Sequence, residues 1–111
     1  PKSAPTTPPR LAYAPGKVFF SPEARADLID LYDYIADQGS RQRAITYIER
    51  IEVYCLGFAS FPERGTRRDE IRPGLRTVGF EGRITIAFHL GEGTVIIDRI
   101  LYAGRQMDAT P

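Results

Sequence analysis

The 111-residue chain has no tryptophan, one cysteine, one histidine and one methionine, and only two lysines, Lys2 and Lys17. Each scarcity removes a class of protein. The lone Cys55 cannot form an internal disulfide, so no disulfide scaffold is present, and with no basic start followed by an apolar run a cytoplasmic location is expected. The lone His89 excludes a His-pair metal centre, and a Cys-His pair would need Cys55, whose spacing places it in a helical core; no metal and no cofactor are expected. No apolar stretch nears the roughly 18–20 residues that span a bilayer, since Arg50, Glu52 and Asp98 interrupt the candidates, so no membrane association is expected. Gly16-Lys17 lacks an upstream glycine at phosphate-loop spacing, and no serine stands in a nucleophile-elbow context.

What the chain does contain is arginine. Thirteen of its fifteen cations are arginines, set against fourteen carboxylates for a net charge of +1. That balance excludes a strongly basic nucleic-acid binder and argues against direct sequence-specific nucleic-acid recognition, while the arginine bias suits planar, bidentate contacts with a macromolecule. At this length only about 60–65% of the unfolded surface can be buried, which fills one small domain and leaves little room for a deep enclosed pocket.

Residues 1–17 hold five of the nine prolines and read as a flexible proline-rich tail, and 18–111 as a single domain. Lys17–Phe20 is β-prone. Ser21-Pro22-Glu23 is a helix start, with Ser21 as the cap and Pro22 preset at the first helical position. Ala24, Leu28, Leu31 and Ile35 then recur on one face, with carboxylates on the other, until Gln38-Gly39. Ser40 opens a second helix whose stripe of Ala44, Ile48, Ile51, Cys55 and Phe58 runs to Phe61-Pro62. So short a connection makes an antiparallel helical hairpin. After a charged connection over 63–74, residues 75–80, 84–90 and 94–102 read as strands; Ile84, Ile86, Phe88 and Leu90 alternate with Thr85, Ala87 and His89. The expectation is an α+β fold of order β-α-α-β-β-β, an antiparallel sheet carrying the hairpin on one face and open on the other.

Among the arginines, Arg76 and Arg99 lie within strands, where a cation must reach water, a carboxylate or a partner. Together with Arg83, Tyr102 and Arg105 they form the candidate site at the C-terminal end and open face. The alternative is pairing with Asp69, Glu70, Glu81 or Asp98.

Three stretches resemble the RelE/ParE superfamily of bacterial toxins: VFFSPEARADLIDLYDYIAD, IRPGLRTVGF and IIDRILYAGRQMD, in that order and spanning 18 to about 108. The resemblance implies the toxin of a type II toxin–antitoxin system. RelE-like members cleave mRNA on the ribosome with basic strand residues; ParE-like members lack most of them and poison DNA gyrase. Of the strand positions concerned only Arg76 is basic here, Val78 and Thr85 being uncharged, so stabilisation of a phosphoryl-transfer transition state would be missing. The resemblance therefore implies a ParE-like, non-enzymatic gyrase inhibitor, with a RelE-like ribosome-dependent endonuclease as the alternative. It also implies a ParD-like antitoxin whose flexible segment folds on the toxin; Leu28, Leu31, Tyr32 and Ile35 of the first helix and Tyr47 and Tyr54 of the second are candidates for that contact.

Overall fold

A computed structural model describes residues 17–103; the proline-rich segment 1–16 and Arg105 lie outside the described residues. Strand β1 (Lys17–Phe20) leads into helices α1 (Pro22–Gln38) and α2 (Arg41–Leu56), a 3-10 turn (Gly57–Ala59), and strands β2 (Thr66–Arg67), β3 (Arg76–Phe80), β4 (Ile84–Gly91) and β5 (Thr94–Tyr102). The strands form one sheet in the order β1-β5-β4-β3-β2.

The expected α+β architecture holds, with two refinements. The sheet is mixed, because β1 runs parallel to β5 while the other pairings are antiparallel. The charged connection contributes β2, two residues paired with Arg76 and Thr77. Neither is visible in hydrophobic period, since four residues show no preferred direction and Thr66-Arg67 is exposed on both faces.

Both helix starts follow from their caps. Ser21 sits in extended backbone and its Oγ accepts from Ala24 N at 2.9 Å; Ser40 does the same for Arg43 N at 3.0 Å. Helix α1 stops where Gly39 N donates to Ile35 O, and α2 ends at Leu56 rather than continuing through Phe58. Its last turn tightens into the 3-10 form, which still buries Phe58 and Ala59 completely or nearly so.

The core lies between the hairpin and one sheet face: Leu28, Leu31, Ile51, Cys55 and Phe58 meet Val18, Ile84, Ile86, Phe88, Val95, Ile97 and Ile100. A bulge makes this possible on β5. Phe88 faces Ile97 and Ala87 faces Arg99, so Asp98 has no partner on β4 and the inward positions shift from 95 and 97 to 100. At the same place β1 turns away into α1 and leaves the edge of β5 open.

Two side chains close that edge. Ser21 Oγ donates to Asp98 O at 2.9 Å. Asp27, buried on α1, accepts from Ile100 N at 2.8 Å and from Arg99 Nε and Nη2 at 2.8 and 2.9 Å. Among the described residues no helix is long and apolar enough to cross a membrane.

Truncating Asp27 should therefore cost more than a surface ion pair. Asp27→Ala leaves a buried N–H unsatisfied and is expected to lower the unfolding free energy by about 2–4 kcal/mol in denaturant titration, with Asp27→Asn, which keeps an acceptor, costing about half as much. Cys55, fully buried and with its thiol pushed up by desolvation to about 12, should stay unmodified by a thiol reagent at pH 8 until the chain is unfolded.

Candidate functional site

Among the described residues, an open groove of about 770 Å³ lies between the tip of the helical hairpin and the β3–β4 turn. Its walls come from four elements. Tyr34 and Ile35 stand on the last turns of α1, Arg43, Tyr47 and Arg50 on one side of α2 from its first turn to past its middle, Glu81 and Arg83 in and after the β3–β4 turn, and Tyr102 at the end of β5. Local chemistry sets these positions. Glu81 (φ 52°) and Gly82 (φ 73°) carry the two positive φ angles of a tight hairpin turn, which turns the chain between Phe80 and Arg83.

Glu81 and Arg50 form a bidentate ion pair, Arg50 Nε lying 3.1 Å from Glu81 Oε2, and the Arg50 guanidinium also lies 5.0 Å above the Tyr47 ring. Burial, with the Glu81 and Tyr102 charges adding to it, raises the Tyr47 phenol above its ordinary value. Arg83 Nη1 donates to Tyr102 OH at 3.3 Å, and Tyr102 meets Tyr34 with ring centroids 5.4 Å apart. One carboxylate, three guanidiniums and three tyrosines thus share one open surface, an arrangement suited to holding an anionic or planar partner.

The groove unites Arg83, Tyr102, Ile35 and Tyr47 from the candidates named by sequence. Others go elsewhere. Arg99 is held by Asp27, and Arg76 is half-buried with its Nε donating to Arg64 O at 3.0 Å. Leu28 and Leu31 are in the core. Tyr32 is half-buried on α1, and Tyr54 packs between Phe58 and Phe80 at 5.4 and 4.9 Å. Tyr34, Arg43 and Arg50 are not among the residues that the sequence marks for the site, and Glu81 enters there only as a possible ion-pair partner. Arg50 and Glu81 are 31 residues apart, and no local pattern marks their pairing.

On the open sheet face the connection folds back. Arg68 Nε donates to Thr77 Oγ1 at 3.1 Å, and Arg72 Nη2 donates to Asp98 Oδ2 at 2.9 Å, the oxygen that lies 2.7 Å from His89 Nδ1. Arg67 pairs with Asp69 and Arg68 with Glu70. Arg67, Arg68 and Arg72 of the connection are thus engaged with carboxylates, as solvated surface cations commonly are, while Arg64 donates to Phe61 O at 2.9 Å and lies over the Phe58 ring. Among the described residues no three His, Cys, Asp or Glu side chains gather as metal ligands.

Known proteins share this arrangement of elements. A family model described as the ParE toxin of the type II toxin-antitoxin system parDE matches residues 18–107. Proteins named Toxin ParE1 from two Mycobacterium tuberculosis strains, CDC 1551 / Oshkosh and ATCC 25618 / H37Rv, are each 30% identical over 93 residues, covering 83% of this chain and 94% of theirs. A solved structure titled as a chromosomal ParDE TA system from P. aeruginosa has the same fold, with a TM-score of 0.71 at 21% identity over 81% of this chain and 98% of that one.

The electrostatics of the groove can be checked directly. Replacing Glu81 by Gln removes a negative charge beside Tyr47 and frees the Arg50 cation; both changes should move the Tyr47 ionisation downward in a tyrosinate absorbance titration, measured as the difference from Tyr47→Phe. An unmoved titration would show that burial alone sets it.

Proposed function

The chain belongs to the ParE toxin family of type II toxin–antitoxin systems, and on that premise we propose that it inhibits DNA gyrase by binding and that a ParD-like antitoxin neutralises it. The family match over 18–107 carries the reading. A binding mode, rather than chemistry of its own, is supported by what occupies the strand positions where ribonucleases of the superfamily carry cations. Val78 is packed against the core, and Thr85 is an uncharged, exposed residue. Neither offers charge to a phosphoryl-transfer transition state.

The surface we assign to toxic action is the groove, with Arg83 and Tyr102 as its first residues to test. Arg99 is committed to Asp27 and contributes through the sheet edge instead. For the antitoxin we propose the half-buried side chains of the hairpin, Tyr32, Ile35, Tyr47 and Tyr54, with Leu28 and Leu31 supporting them from the core. A disordered partner segment that folds on this surface can bury those amphipathic rings.

The experiment is a supercoiling assay with purified gyrase and antitoxin-free protein. Lost supercoiling with linear plasmid, reversed when the antitoxin is added back, is the expected result, and Arg83→Gln and Tyr102→Phe should each reduce the linear product roughly tenfold, the cost of one good polar contact to a charged group. Unaffected gyrase in the presence of folded protein would overturn the reading. The ribonuclease alternative predicts ribosome-dependent mRNA cleavage by the natural chain; if cleavage appears only after Val78→Lys and Thr85→Arg are introduced, that alternative fails.

A further inference from the structure

The groove carries more positive charge and more exposed ring surface than the fold uses. Arg50 is matched by Glu81, but among the described residues Arg43 and Arg83 form no ion pair. The Arg43 side chain lies against Gly39, its Nη1 only 3.3 Å from where a Cβ would stand, which places this exposed residue along the groove wall. Arg83 has only the Tyr102 hydroxyl as a side-chain partner. Tyr34 is 49% exposed although it is a large aromatic, and its ring lies beside that of Tyr102.

We propose that this groove binds a nucleotide unit of single-stranded nucleic acid, with Tyr34 and Tyr102 contacting a base and Arg43 and Arg83 the flanking phosphates. The combination of unmatched guanidiniums with the exposed Tyr34 ring and the half-buried Tyr102 ring beside it is what selects this ligand. An acidic peptide would satisfy the cations but leave the Tyr34 ring without a planar partner, whereas a base offers a π-face and carries its phosphate at the reach of a neighbouring arginine. Two unmatched cations in the groove, on a chain of net charge +1, give weak, salt-limited binding. Ring faces and phosphate contacts carry no base identity, so the binding has no sequence specificity. The inference deepens the gyrase reading and rests on it for its setting, gyrase being an enzyme that acts on DNA. The binding itself is measurable without gyrase, so its failure would leave the supercoiling result standing, and the reverse.

The test is fluorescence anisotropy of the full chain with labelled oligothymidylate of about twelve nucleotides, enough to fill one groove. With two phosphates engaged, affinity should fall about sevenfold between about 50 and about 200 mM salt. The Arg43→Gln/Arg83→Gln double variant should lose that salt dependence, and Tyr34→Ala should weaken binding about tenfold, the loss of one base stack. Arg67→Gln, at an exposed position in the connection, should bind as the natural chain does. Thermal unfolding of each variant verifies that it is folded. If a free mononucleotide displaces the probe with the same sensitivity to Arg43, Arg83 and Tyr34, the site stands and its source is a nucleotide rather than a strand. Absence of binding at low salt, binding indifferent to the groove variants, or displacement by polyglutamate as effective as by unlabelled strand would each overturn the proposal, the last in favour of an acidic peptide.

Discussion

One buried carboxylate joins the two halves of this molecule. Where β1 leaves the sheet to begin α1, the edge of β5 would expose an unpaired Ile100 N–H beneath the helix; Asp27 accepts from it and from the Arg99 guanidinium at once. A charge-assisted bond to a backbone donor, in a setting where water is scarce, is strongly directional. It fixes the rotation of α1 over the sheet, and with it the direction in which Tyr34, two turns further along, leaves the helix. Ser21 works on the same edge from the other side of the bulge by holding Asp98 O.

The groove follows from that placement. With α1 set by Asp27 and α2 folded back through the Gly39-Ser40 connection, the hairpin tip overhangs the β3–β4 turn, and the positive φ angles of Glu81 and Gly82 bring a carboxylate up to Arg50. Of the three arginines that line the groove, Arg43 and Arg83 remain without an ion pair, near the exposed Tyr34 ring. The same hairpin therefore serves as core on its inner side and as a wall of the open groove at its tip. That economy suits a domain too small to enclose a pocket.

The legible parts of the chain were those governed by short-range chemistry. Ser21-Pro22 and Ser40 announced both helix starts, since a cap is a contact over three residues. The alternation of Ile84, Ile86 and Phe88 announced the half-buried middle strand, and the helical spacing of Cys55 its burial. The direction of β1 and the existence of β2 were not legible, because four- and two-residue strands are defined by their neighbours. Arg99 and Arg76 illustrate the same limit: each was visible as a cation in a strand, but whether it faced a partner, Asp27 across 72 residues or Arg64 O across 12, had no local sign.

Sequence by itself therefore determined the order of the two helices and the four longer strands, the helix caps, the apolar faces and the family motifs, all of which depend on period and on neighbours a few residues away. Only the tertiary structure decided which arginines are consumed and which remain available. A guanidinium's fate depends on the carboxylate or carbonyl that folding brings within about 3 Å of it, a distance over which electrostatic pairing forms or fails. Arg99, Arg72 and Arg50 each find such a partner far along the chain, and Arg43 and Arg83 are left facing the groove.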